Sequence, residues 1–224
     1  MKNVLVIVAH PDDEVLGCGG AIARHCAEGD LVSVVCMADG VSSRFEEKDK
    51  TLLHARHEAA HRAASILGIH HITFLAHPDN SMDQVALLSV VRDVEQLVKR
   101  YQPETIYTHH FGDLNIDHRL VHEAVITACR PSSAAYVKKL LFFETPSSTE
   151  WRAYTPSIAF VPNYFVDISS HLLQKKEALS CYREELHSFP HPRSLEAVEY
   201  LARWRGAMVG IIAAEAFELG RLIV

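Results

Sequence analysis

Nowhere in its 224 residues does this chain carry the roughly 18 consecutive apolar residues of a membrane-spanning helix, so no span is expected. Cysteine is equally sparse. The five present (Cys18, Cys26, Cys36, Cys129 and Cys181) are odd in number, scattered, and form no C-x-x-C pair. That excludes a disulfide framework and a thiolate zinc site, and suits reduced thiols in the cytoplasm. A basic excess is missing too: Lys plus Arg is 22 against 28 for Asp plus Glu, a formal net charge of -6. Nucleic acid and anionic membrane surfaces are therefore not expected as principal partners. The N-terminal apolar stretch is short and meets His10-Pro11-Asp12-Asp13-Glu14 with no small-residue cleavage site, unlike a signal peptide. Repeats, linkers and low-complexity tracts are absent as well, so residues 1–224 read as one domain long enough for a well-buried core.

Histidine, by contrast, is plentiful at 15, and the question is which few converge. Val4-Leu5-Val6-Ile7-Val8-Ala9 is apolar and mostly β-branched, and ionisable groups begin abruptly at His10. This is the pattern of a buried parallel strand ending in a functional loop. Further strands are predicted over 31–37, 72–75, 105–108, 140–143 and 164–168. Helices are predicted over about 14–28, 51–67, 82–101, 118–129, 170–186 and from Ser194 to Leu219. Such alternation implies an α/β fold, a Rossmann-like three-layer sandwich with a mostly parallel sheet and right-handed crossovers. The common strand order 3-2-1-4 would set the first strand beside the fourth. The loop His109-His110-Phe111-Gly112-Asp113-Leu114-Asn115-Ile116-Asp117-His118 then lies next to His10 and Asp13. Pro146 to Pro162 reads as a substrate-facing rim, and Val41 to Lys50 as a polar loop over the same sheet edge.

Three acids and an imidazole within five residues repel one another unless a cation sits among them, and a divalent metal is the simplest candidate. Helix capping explains one or two carboxylates in a first turn, but not His10 at the strand end. His10 and Asp13, three apart on a strand-to-helix turn, can reach one point while Asp12 faces elsewhere, and His118 can supply a third ligand. A His-Asp-His set with an open position is the pattern of a catalytic zinc, and the same donors suit iron(II). A dinucleotide site fits poorly, because Gly17-Cys18-Gly19-Gly20 lacks the G-x-G-x-x-G spacing and acids crowd the strand end.

Ala9-His10-Pro11-Asp12-Asp13-Glu14, followed by Gly17 and Gly19-Gly20, resembles the signature of the LmbE/PIG-L family of zinc-dependent N-deacetylases. Asn115-x-Asp117-His118 stands where that family has its second motif. Arg205-Gly206-x-x-x-Gly210 with Ala214-Glu215-Ala216-Phe217 is similar to its C-terminal signature. The resemblance implies removal of an N-acetyl group from a small amino sugar or sugar conjugate. It further implies His10, Asp13 and His118 as Zn2+ ligands and Asp12 as general base. It suggests Arg56 and Asp79 as contacts to sugar hydroxyls, with Arg44 and Arg193 as further substrate-binding candidates. Asp117 is expected to orient an imidazole or a ligand, and Glu215 to anchor the C-terminal helix to the active-site loops.

The second motif departs from the family at one position. Many members carry a histidine where this chain has Asn115, whose amide can hydrogen-bond an oxyanion but cannot deliver a proton. His191, between two prolines, is the preferred substitute, with His109, His110 or a double role for Asp12 as alternatives. Competing readings are an amidase acting on a thiol–sugar conjugate and a non-catalytic metal- or sugar-binding module. Asp12 speaks against the second, since a binding site has no use for a spare carboxylate beside the metal. Homo-oligomer formation is compatible with the sequence.

Overall fold

The computed structural model describes residues 1–41 and 50–224. In chain order the elements are β1 (Asn3–Val8), α1 (Asp13–Ala27), β2 (Leu31–Ala38), α2 (Lys50–Leu67), β3 (His71–His77), α3 (Leu87–Tyr101), β4 (Thr105–His109) and α4 (Ile116–Ala128). They continue with β5 (Lys139–Phe143), β6 (Tyr164–Asp167), α5 (Leu172–Leu179), α6 (Leu195–Ala207) and β7 (Ala214–Leu222). The seven strands form one sheet in the order β3-β2-β1-β4-β5-β7-β6. β1 to β5 run parallel, and β7 enters antiparallel between β5 and β6.

Alternation along β1 explains the layering. Val4, Val6 and Val8 join the core beneath α1, α2 and α5, whereas Leu5, Ile7 and Ala9 join the core beneath α3 and α4. Both faces of the strand are buried, as its unbroken apolar run requires. Each Val, Leu or Ile buried this way contributes roughly 1.5–3 kcal/mol. The ends of β1 and β4 come together at one edge, where the parallel order puts the loops that follow them.

The C-terminal region corrects the sequence reading. The last helix stops at Ala207 rather than Leu219, and residues 214–222 form β7. Gly210, at φ +78, turns the chain back, and Gly206 packs so closely on the 211–213 backbone that a side chain there would meet the Ile211 carbonyl at 2.6 Å. The segment then finds hydrogen-bond partners on two strands, which outweighs the helical preference of its alanines and glutamates. α5 likewise ends at Leu179, short of the expected 186, and a 3-10 turn (Met82–Gln84) precedes α3. All five cysteines are free. Among the described residues no helix is long and apolar enough to cross a membrane.

Candidate metal centre and active site

β1 ends one residue before Ala9, and the chain turns through His10 and Pro11 into α1, with Asp12 at the helix N-cap. Asp12 lies at φ 116, in the left-handed region that non-glycine residues avoid at a cost of roughly 1–3 kcal/mol. The conformation is held from both sides. Its carbonyl accepts from the amides of Val15 and Leu16, and its own N–H donates to Glu14 Oε2 at 3.0 Å. Tyr182 donates its hydroxyl proton to the other Glu14 oxygen. Burial pushes the Glu14 carboxyl up to about 7, against the opposing pull of these two hydrogen bonds.

His10, Asp13 and His118 converge with ligand atoms all within 4.8 Å of one another. Asp13 Oδ2 lies 3.4 Å from His10 Nδ1 and 3.3 Å from His118 Nε2. All three residues are buried. Asp13 Oδ1 and His118 Nε2 lack a hydrogen bond of acceptable geometry, although they are shielded from water. Buried polar atoms left so are rare unless another partner belongs there. Burial alone would lower the His118 pKa, but Asp13 and Asp113 raise it to about 9, so the surroundings favour positive charge at this point. The donor set therefore fits a divalent cation, with Asp13 Oδ2 close to one ring nitrogen of each histidine.

The far sides of both histidines face carboxylates. His10 Nε2 is 3.1 Å from Asp117 Oδ2 and 3.1 Å from Asp79 Oδ1. His118 Nδ1 is 3.1 Å from Asp113 Oδ1. An imidazole with a carboxylate behind it is the usual support for a metal-binding histidine, fixing tautomer and orientation. The supports are themselves fixed. Asp117 accepts the amides of Asn80 (2.7 Å) and Met82 (3.0 Å). Asp113 accepts from the Asn115 amide at 2.8 Å, from Thr149 at 2.6 Å and from Ser148. Burial would raise the Asp113 pKa, yet His118 and the hydroxyl donors hold it well below the carboxylate range. Asp113 was not singled out in the sequence; its position two residues before Asn115 in a histidine-rich loop was the available signal.

Asp12 sits beside this trio, 1% exposed, within a ring of alternating charge. Its Oδ2 lies 3.1 Å from Arg193 Nη1 and 3.6 Å from Arg56 Nη2. Glu185 closes the ring, 2.5 Å from Arg56 Nη1 and 3.3 Å from Arg193 Nη1. Burial raises the Asp12 pKa, and the two arginines offset part of that rise. Glu185 follows α5 in a short turn and carries no sequence signature that would have marked it.

Asn115 caps α4: its Oδ1 accepts from the Asp117 amide and its Nδ2 donates to Asn80 Oδ1, each at 2.8 Å. It thereby sets the start of the helix that carries Asp117 and His118. His191 lies on the loop ahead of α6, edge-on to Trp151 and close to His187. Its Nδ1 accepts from the Arg193 amide at 3.1 Å, so the ring carries its proton on Nε2. Slight burial, His187 and Arg193 all lower its pKa. His109 accepts the Ala9 amide and stacks on His118 at 3.9 Å. His110 instead bridges Glu218 (2.6 Å) and the Ile158 carbonyl (2.9 Å). Arg44 lies outside the described residues.

Glu215 belongs to β7, not to a helix. α1 is broken at Cys18 (φ -148, ψ 24), and the two oxygens of Glu215 accept the Gly20 and Ala21 amides beyond that break, at 2.8 and 2.7 Å. Lys175 completes a buried pair with Glu215 at 2.6 Å and donates to the Leu16 carbonyl before the break.

Residues 5–129 match the family described as "PIG-L: GlcNAc-PI de-N-acetylase", more than half of the chain. "Uncharacterized deacetylase YaiS" of Escherichia coli (strain K12) is 32% identical over 162 residues, covering 70% of this chain and 80% of that protein. The 4-oxalmesaconate hydratase of Pseudomonas putida is 30% identical over 207 residues, covering 83% and 75%. A crystal structure of GalB, the 4-carboxy-2-hydroxymuconate hydratase of P. putida KT2440, superposes with a TM-score of 0.78 at 26% identity, covering 100% and 98% of the two chains. The fold, the matched span and the His-Asp-His convergence agree: this chain belongs to the PIG-L (LmbE-like) de-N-acetylase family.

Proposed function

We propose that this protein is a metal-dependent hydrolase that removes an N-acetyl group from an amino sugar or sugar conjugate, with zinc held by His10, Asp13 and His118. The observation that carries this reading is the pairing of that trio with a separate buried carboxylate, Asp12, which takes no part in it. A cation at the trio supplies Lewis acidity, lowering the pKa of water from 15.7 to about 7 and polarising a carbonyl oxygen. Asp12, fixed by Glu14 and the α1 amides, takes the proton from the attacking water. Amide nitrogen is a poor leaving group and must be protonated as the C–N bond breaks. Asn115 is engaged at both ends of its amide, and His191 Nδ1 accepts the Arg193 amide, which leaves Nε2 as the ring's donor. Asp12 therefore returns the proton to the departing amine, while His191 Nε2–H is suited to hydrogen-bond a developing oxyanion. Asp79 and Arg56 remain the candidates for sugar hydroxyls, each buried beside a catalytic group.

The test is acetate release from a panel of N-acetylated sugars and sugar conjugates, with zinc supplied and with zinc chelated. Asp12→Asn should bind zinc as the parent does and lose about 10²–10⁴-fold in kcat. Near-parental turnover, or equal turnover after chelation, overturns the assignment.

A second reading is hydration of a carbon–carbon double bond, favoured by one observation. Such a reaction has no amine to expel, and Asn115, which caps α4, has no proton to deliver to a leaving amine. The similarity to the P. putida hydratase points the same way. Loss of an enoate chromophore without any acetate release from the sugar panel would select it.

A further inference from the structure

His110 is a candidate proton donor by sequence, yet both its ring nitrogens are engaged outside the metal trio. The ring is completely buried. Its Nδ1 lies 2.6 Å from Glu218 Oε2 on β7, and its Nε2 lies 2.9 Å from the Ile158 carbonyl oxygen. Both partners are acceptors. A neutral imidazole has a single N–H and satisfies only one of them, so the ring makes both hydrogen bonds as an imidazolium. Burial opposes that charge, but Glu218, the Ile158 carbonyl and Asp113 hold the pKa above the ordinary histidine value of 6.5. Among the described residues the titratable groups facing the ring are Glu218 of β7, Asp113 of the loop after β4 and His122 of α4, with Arg205 of α6 reaching the same Phe160 ring that His110 touches. Burial lowers the His122 pKa, so near neutral pH it adds no competing charge.

The segment that His110 ties down borders the site. Residues 146–162 run between β5 and β6. The near limb of this rim meets the site directly: Ser147 accepts from Arg193 Nε at 2.6 Å, and Ser148 and Thr149 donate to Asp113, the carboxylate behind His118. The far limb is held at Ile158, whose carbonyl reaches His110, and at Val161, whose amide donates to Glu218 Oε1 at 2.8 Å. Glu218 thus grips the rim with one oxygen and the histidine with the other. Gly112 leaves room for this approach, since any side chain there would collide with the Ile158 carbonyl. Phe160 meets the His110 ring edge to face, centroids 5.4 Å apart.

We propose that His110 is a positioning residue for this site, an imidazolium latch that holds the far limb of the rim closed and frees it when the ring gives up a proton. A ring nitrogen that has lost its proton presents a lone pair to its acceptor, and the hydrogen bond there becomes a repulsion. Glu218, the charged acceptor, retains the remaining N–H, so the Ile158 contact is the one that opens. The closed rim is fully favoured below the ordinary histidine range and is lost as pH rises through the raised value. Substrate then meets a looser mouth at high pH, which weakens binding and leaves the reacting groups as they were. That last step rests on this being the site that binds substrate, as in the hydrolase reading; the latch itself does not.

Amide hydrogen exchange of the zinc-loaded protein from pH 6 to 9, corrected for hydroxide catalysis, reads the latch directly. Protection of residues 157–162 should fall at least about tenfold over that range, the effect of losing a hydrogen bond to a charged group, while α4 is unchanged. Glu218→Gln accepts the Val161 amide on its oxygen and donates from its nitrogen to His110 Nδ1, so a neutral ring can keep its N–H on the Ile158 carbonyl. Protection in that variant should persist to pH 9. Gly112→Ala, an independent check should the glutamine variant fail to fold, should expose the rim already at pH 6. Protection that does not change with pH in the parent, or that falls identically in Glu218→Gln, overturns the proposal. In parallel, KM for the fastest N-acetyl sugar of the panel should rise at least about threefold from pH 6 to 9 in the parent and stay level in Glu218→Gln, with kcat following one profile in both. A level KM in the parent overturns the positioning role. Acetate release from no sugar, with the exchange result as expected, discards the hydrolase reading and leaves the latch standing.

Discussion

Glu14 offers the sharpest quantitative test of how the active-site loop is held. Its carboxyl is fully buried and raised from 4.5 to about 7. Because the folded pKa exceeds the unfolded one, the stability it contributes is complete below pH 4.5 and is lost as pH rises through 7. The span from 4.5 to about 7, at about 1.36 kcal/mol per pH decade, makes the loss about 3 kcal/mol by pH 8. Glu14→Gln cannot ionise, yet it can still accept the Asp12 amide on its oxygen and donate to Tyr182 from its nitrogen. Urea unfolding of both metal-free proteins at pH 4, 5, 6, 7 and 8 gives the comparison. The two should be within a few tenths of a kcal/mol at pH 4, and the glutamine variant should be more stable by about 3 kcal/mol at pH 8. Parallel stability curves would mean that Glu14 is already ionised in the folded protein and that burial is not the dominant influence on it.

Asp113→Asn should weaken zinc binding about 10–100-fold, because His118 loses the carboxylate behind it, and competition with a chelating dye measures this directly. Lys175→Met leaves Glu215 buried without its cation and should destabilise the fold by about 3–5 kcal/mol in denaturant titration. Gly17→Ala places a Cβ 2.2 Å from the Phe143 ring, which should cost about 1–3 kcal/mol in overpacking, read as a lowered urea midpoint with unchanged slope.

Much of this architecture was legible because the parallel strands announce themselves. Val4–Ala9 is apolar on both faces, and only a strand covered by helices on both sides has use for that. The order 3-2-1-4 is the common one for such a sheet, and it brings His118 to His10 and Asp13. β7 was not legible. Ala214-Glu215-Ala216 reads as helix by local preference, and only its pairing with two strands from elsewhere overrides that. The supporting groups were harder still. Asp113, Glu185 and Lys175 act through neighbours distant in sequence, and a loop residue's partner is set by tertiary placement that no local spacing encodes. Asn115 departs from the second motif in plain view, but its bond to Asn80, 35 residues away, is a tertiary contact that no local spacing encodes.

The junction of Glu215 with Gly20 and Ala21 joins residues nearly 200 positions apart, 195 for the Gly20 bond. The half of α1 beyond the Cys18 break is thereby pinned to β7, a strand inserted between two others on the far side of the sheet. The turn that presents His10 and Asp13 thus depends on closure of a long-range contact, and substitutions that loosen β7 should disturb it from a distance.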